Sequence, residues 1–277
     1  MKIAFMTLGC PNWNLNTLCQ RGREFGFDGV DFRGYLDEID ITKLPMFTSQ
    51  AAETRKRLND AGLEVSGISS SISLCRADAY TKNLEEARRT IEVAQQLGST
   101  NVRVFGGGDL KKSTHAELAK VGLDCMRAIL ELDGAAGMHW LFETHDNWIK
   151  ASDCKLLLNN IDNLAFGALW DMGHTARVGG ETPEESYAAI GPRIGYTHVK
   201  DAVYDPNDEW AMDDGWHYVL PGEGQLPLAE AIRVLQAHGY DGWILFEQEK
   251  RWHPNLAEPE VAFPAFVKWV RPLLNQE

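Results

Sequence analysis

The chain has 277 residues, with 27 Lys or Arg against 40 Asp or Glu, for a formal charge of −13. A hydrophobic content of 44% with ordinary charge density excludes a disordered chain and leaves ample residue for a sizeable core. No uncharged apolar run of about 18 residues occurs, which excludes a spanning helix, and the acidic balance without a Lys/Arg cluster argues against a nucleic-acid partner.

The first strand is expected over Lys2 to Leu8. Its end, Thr7-Leu8-Gly9-Cys10, superficially matches a lipoprotein cleavage site, but the apolar stretch from Ile3 is too short for a secretory segment. A helix closing at Gly26 leads to a second strand, Gly29 to Arg33, and a helix over Ser49 to Ala61 stops at Gly62 before a strand over Glu64 to Ser71. The alternation continues: helix Asn83 to Leu97, strand Asn101 to Phe105, helix Thr114 to Leu132 and strand His139 to His145. Beyond it come strand Phe166 to Asp171, a helix from about Pro183, strand Ile194 to Asp201, a long polar loop, helix Pro227 to His238, strand Gly242 to Glu247 and a last helix, Glu258 to Leu274. Eight strands alternating with helices over about 250 residues is the pattern of a (β/α)8 TIM barrel, an α/β fold. No Pro/Ser/Gly linker divides the chain, so residues 1–277 are taken as one domain. A doubly wound sheet would carry a glycine fingerprint after its first strand; Cys10-Pro11-Asn12-Trp13 is none, and Gly106-Gly107-Gly108 reads as a flexible turn.

In such a barrel, chemistry sits where strands end at their C-terminal side. Four strands end there in an ionisable residue after an apolar run: Glu143, Asp171, His198 and Glu247. Three carboxylates and one imidazole converging on the axis would repel one another unless a cation neutralises them. One divalent metal satisfies the set, with Mn2+ first and Mg2+, Co2+ or Zn2+ open on donor type.

These residues stand in recurring motifs: FETH at Glu143, D-x-x-H at Asp171 to His174, H-V-K-D at His198, P-G-E-G at Pro221 to Gly224 and FEQ at Glu247. On them the chain resembles the sugar phosphate isomerase/epimerase superfamily, the xylose isomerase-like TIM barrels, over nearly its whole length. The resemblance to the family's ketose 3-epimerases implies that Glu143 and Glu247 are an acid/base pair as well as metal ligands, and that His174 contacts substrate. Metal chelation by an α-hydroxy carbonyl compound would stabilise an enediolate, whose reprotonation gives an epimer or an isomer and whose loss of a β-hydroxyl gives a dehydrated product. The expected function is a metal-dependent isomerase or epimerase acting on a sugar or related polyhydroxy carbonyl compound; a dehydratase or lyase acting on an inosose or keto-sugar is the alternative. The ketose 3-epimerases place an arginine six residues after the metal-binding histidine, where this chain has Tyr204, so the resemblance leaves the substrate open.

Strand parity adds His145, Lys200 and Glu249 to the mouth. Lys200 suits a substrate oxyanion or a counter-ion to the acidic ligands; Arg103 suits a barrel-interior ion pair or a substrate contact. Among loop aromatics Trp13, Trp148, Trp210, Trp216 and Trp252, at least one, Trp13 being a candidate, is expected to stack on a sugar face. The segment Tyr204 to Gly224 is expected to cover the pocket, its Glu223 either reaching substrate or simply standing in a tight turn. An apurinic endonuclease would need extra histidines from the second and third strands, GVDFR and EVSGISSS, which have none, although Asp214 and His217 resemble another part of its site. A non-catalytic barrel subunit is a further alternative. Five scattered cysteines without a C-x-x-C point to a reducing, cytoplasmic setting; no membrane partner is expected, and homo-oligomerisation stays open.

Overall fold

The computed structural model describes residues 1–275. Its elements are β1 (Lys2–Met6), α1 (Leu15–Phe25), β2 (Gly29–Phe32), α2 (Ala51–Asp60), β3 (Glu64–Ser73), α3 (Tyr80–Leu97), β4 (Asn101–Phe105), α4 (His115–Leu130), β5 (His139–Glu143) and α5 (Ala151–Leu158). They continue with β6 (Phe166–Asp171), α6 (Met172–Arg177), α7 (Pro183–Ile190), β7 (Ile194–Val199), β8 (Asp201–Tyr204), β9 (Trp216–Val219), α8 (Leu228–Ala237), β10 (Trp243–Phe246) and α9 (Pro259–Leu274). Eight strands close in the order β1-β10-β7-β6-β5-β4-β3-β2, each pair parallel. This is a single (β/α)8 barrel.

Two cores hold it. Inside the cylinder Ala4, Met6, Leu8, Leu141, Leu169, Tyr196 and Leu245 form a plug beneath the mouth; a larger layer fills the space between strands and helices. At the base, Gly167 and Gly195 leave room for the His139 imidazole, which an added Cβ at either position would strike. Local signals fix the helix starts: Thr114 with Glu117 and Thr182 with Glu185 form capping boxes at α4 and α7, and Pro183 opens α7.

Four segments differ from the sequence reading. The polar loop after the seventh barrel strand is a β-hairpin: β8 pairs antiparallel with β9, and Asp201 belongs to it rather than to β7. The helix α5 and the short α6 were not foreseen; both are brief, and α6 starts directly on Asp171. The Gly106 run is a close approach as well as a turn, because a Cβ at Gly106 would collide with the Trp148 indole packed over it.

Candidate metal centre

Register brings the four strand-end residues together. Asp171 on β6 lies beside His198 on β7, and Leu245 on β10 pairs with His198, which sets Glu247 just above it. One ligand atom from each of Glu143, Asp171, His198 and Glu247 falls within 4.8 Å of all the others, and all four side chains are buried. His198 Nδ1 donates to Glu143 Oε1 at 2.9 Å and lies 3.3 Å from Glu247 Oε1. Burial alone would lower the His198 pKa, but Glu247 and Glu143 raise it to about 10, so these carboxylates favour a positive charge at their centre.

Two buried cations back the ligands. Arg103 Nη1 donates to Glu143 Oε2 at 3.0 Å and Nη2 to the Ser70 carbonyl at 3.0 Å. Lys200 Nζ pairs with Asp171 Oδ2 at 3.0 Å, with Glu249 Oε1 at 2.7 Å and with Glu247 Oε2. Burial opposes ionisation of both glutamates, yet Arg103 and His198 hold Glu143, and His198 and Lys200 hold Glu247, well below the ordinary carboxylate range. Asp171 moves the other way: burial outweighs Lys200 and, with Glu247 and Glu143 nearby, lifts it to about 6.

The donor set fits a divalent cation. Three buried carboxylates, Glu143, Asp171 and Glu247, and the half-buried Glu249 face two fixed cations, Arg103 and Lys200, leaving two negative charges when His198 is neutral. Asp171 Oδ2 and Glu247 Oε2 make no directed hydrogen bond despite their closeness to Lys200, an arrangement with lone pairs left for a ligated ion. Three oxygens and one nitrogen suit Mn2+, Mg2+, Co2+ or Zn2+ alike.

Around this centre an arc of side chains runs along the mouth. The His145 ring stands 4.7 Å from Phe105 and 4.8 Å from His174, and its Nδ1 donates to Asp146 Oδ1 at 2.6 Å. Burial works against its protonation, but Asp146 and Glu143 raise its pKa above the usual value. His174 is buried beside Lys200, whose Nζ donates to its Nε2 at 3.3 Å; burial, Lys200 and His145 keep it neutral. Asp171 Oδ1 accepts from the His174 backbone N–H at 2.8 Å, the cap that starts α6 and fixes both residues.

The hairpin β8–β9 stands over one side of a cavity of about 300 Å³ lined by Lys200, Glu247 and Glu249 from the barrel and Trp210 and Tyr218 from the hairpin segment. Asp201 anchors the hairpin base: its Oδ2 accepts from the backbone N–H groups of Gly222 (2.9 Å) and Gly224 (3.0 Å). The P-G-E-G run is therefore a turn built around Asp201, with Glu223 exposed on the cavity rim. Arg177 Nη1 ties the hairpin tip to α6 through Asp214 Oδ2 at 2.6 Å.

Trp13 is not at the mouth. It is buried outside the barrel, edge-on to Phe5 (6.3 Å) and Phe263 (5.5 Å), because β1 is followed by a 3-10 turn that sends the chain outward toward α1. Trp148 likewise packs on Phe142 and donates Nε1–H to the Gly107 carbonyl. Trp216 meets Tyr204 on the hairpin, Trp252 is exposed, and Trp210 alone of the five lines the cavity. Tyr204 is 53% exposed and is not among the residues that line the cavity. Two mouth residues escaped the sequence reading. Tyr218 lay inside a presumed loop; Arg33 closes the second strand, and parity would have placed it on the inner face two residues beyond Asp31.

A family model described as xylose isomerase-like TIM barrel matches residues 19–273. The chain belongs to this family. A 3-dehydroshikimate dehydratase of Pseudomonas putida is 25% identical over 232 residues, 80% of this chain and 34% of that protein, so the chain spans about a third of this curated relative's length. The structure of a probable 3-DHS dehydratase, AsbF, from Bacillus anthracis superposes with a TM-score of 0.78 at 20% identity, covering 100% of both chains. A structure of the IOLI protein with a bound zinc atom gives 0.79 at 17% identity, covering 99% of this chain and 98% of that one.

Proposed function

We propose that the chain is a metal-dependent dehydratase of small polyhydroxy carbonyl compounds, removing a proton beside a carbonyl and expelling a β-hydroxyl. The observation that carries this reading is where free proton-transfer groups lie. Both carboxylates of the expected acid/base pair have one oxygen turned to His198 and the other to a buried cation, Arg103 or Lys200, which makes them firm ligands and weak bases. His145 instead has Nδ1 held by Asp146, which leaves Nε2 for a substrate proton at the mouth.

A bound divalent ion, held by Glu143, Asp171, His198 and Glu247, would polarise the carbonyl and make the adjacent C–H acidic. His145 takes that proton. Lys200, kept protonated by Asp171, Glu247 and Glu249 against the pull of burial, can give one to the departing hydroxyl. Tyr218, whose ring centre is 5.8 Å from Lys200 Nζ, closes the same side. The 3-dehydroshikimate dehydratase relative, similar over most of this chain, supports elimination as the outcome. The second reading is epimerisation, favoured by the approach of Glu143 and Glu247 to one imidazole nitrogen from two strands.

Product mass separates them. The metal-loaded protein is screened with 3-dehydroshikimate, inososes, ketoses and keto-glycosides in deuterated water. A product lighter by one water, abolished by chelator and by His145→Gln while metal binding persists, supports elimination; a product of unchanged formula carrying deuterium beside the carbonyl, insensitive to His145→Gln, would replace it with epimerisation.

A further inference from the structure

Of the cations that reach the barrel mouth, Arg103 and Lys200 are paired with ligand carboxylates, whereas Arg33 has no carboxylate ion pair among the described residues. It follows β2 on the inward-facing parity of Asp31, and β2 stands opposite β6 in the closed order. Its one side-chain hydrogen bond runs from Nη1 to Ser71 Oγ at 2.9 Å, which leaves the Nε–Nη2 edge of the guanidinium without a protein partner among the described residues. Glu86, the acidic side chain behind it, is engaged elsewhere, its Oε1 accepting from the Ser71 backbone N–H at 2.6 Å. Burial and the neighbouring Arg103 lower the Arg33 pKa to about 10, so it is charged at neutral pH. A half-buried guanidinium with one neutral partner is costly unless an anion completes it.

We infer that Arg33 binds a carboxylate of the substrate, which makes the substrate a hydroxy-oxo acid rather than a neutral sugar or polyol. The inference rests on the proposed function only in placing the substrate at this mouth. The open edge presents two near-parallel N–H groups, the geometry that grips a carboxylate bidentately. A phosphate dianion would call for more donors, and Arg103, the other guanidinium on that side, is already engaged by Glu143 and the Ser70 carbonyl.

The test uses the full chain loaded with Mn2+ and three probes that differ at one end: D-glucuronate, D-glucose and D-glucose 6-phosphate, titrated calorimetrically. Glucuronate should bind at least roughly tenfold tighter than glucose, the usual weight of a charge-assisted pair. Arg33→Met should bring that ratio to within about twofold, and Arg33→Lys, which keeps charge without the fork, should fall between. Melting temperature and Mn2+ affinity report that each variant is folded. Equal binding of acid and neutral sugar, an acid preference that survives Arg33→Met, or an Arg33-dependent preference for the phosphate alone overturns the assignment and leaves the proposed function standing. Absence of Mn2+-dependent glucuronate binding overturns the assignment, while the product screen decides the proposed function separately.

Discussion

Arg103→Met tests the electrostatics of the centre directly. Arg103 and Glu143 are 4% and 0% exposed and 3.0 Å apart, so truncating the guanidinium leaves a buried carboxylate with His198 as its remaining partner. Breaking such a pair from one side costs about 3–5 kcal/mol. With an unfolding entropy of about 2.1 cal/mol/K per residue, the chain loses roughly 5–9 °C of melting temperature. Methionine keeps apolar contact with Phe105, over whose ring the guanidinium lies at 3.8 Å, so the loss reports charge rather than a cavity. The assay is a thermal melt by circular dichroism on chelator-treated protein, repeated with excess MnCl2. Because the divalent ion supplies the missing counter-charge to Glu143, the metal-induced rise should be larger in Arg103→Met than in the parent. Combining Arg103→Met with Glu143→Gln, which removes the stranded charge, should recover most of the loss in chelator. A melting temperature within about 2 °C of the parent in chelator, with an equal metal response, would refute the charge accounting from which the divalent site is argued.

Two further expectations concern the scaffold. His139 is half-buried at the barrel base beside Arg193, and burial first, then Arg193, lowers its pKa below the usual value. The folded state therefore takes up this proton less readily than the unfolded chain: its stabilising effect is complete above the unfolded pKa of about 6.5 and declines as pH falls below it. His139→Gln should flatten the drop in urea midpoint between about pH 7.5 and pH 5.5, and an unchanged drop would exclude His139 as its source. Trp13→Ala should destabilise by about 3–5 kcal/mol in urea unfolding while leaving Mn2+ affinity within about twofold, since the indole belongs to the outer aromatic layer; a selective loss of metal or sugar binding would return Trp13 to the mouth.

The convergence of the four strand-end residues was legible because each follows an apolar strand run and strand ends of a closed barrel converge. Glu143, Asp171, His198 and Glu247 therefore needed only the strand count and parity. Lys200 and Arg103 were legible as candidates but not in their partners, since which carboxylate each meets depends on closure between strands far apart in sequence. Trp13 misled because a tryptophan after a strand reads the same whether the chain turns toward the axis or away from it; the turn at Thr7–Gly9 decides, and its residues carry no strong signal. The hairpin was hidden for another reason. DAVY and WHYV are four-residue strands separated by a polar stretch, too short for alternation to register, and their pairing depends on Asp201 gripping the turn amides some twenty residues away.

Arg33 and His145 together constrain the size of the substrate. They stand just beyond β2 and β5, three neighbours apart around the cylinder. With strands about 4.8 Å apart, the chord between two such side chains is on the order of 10 Å. A molecule that presents a carboxylate to Arg33 and an acidic C–H to His145 must therefore carry them at opposite ends of something as large as a six-membered ring. A three-carbon acid such as glycerate can reach one group or the other but not both. In titrations with glycerate, then, its affinity should depend on Arg33 or on His145, never on the two together; joint dependence would mean the two residues lie closer across the mouth than the strand order suggests.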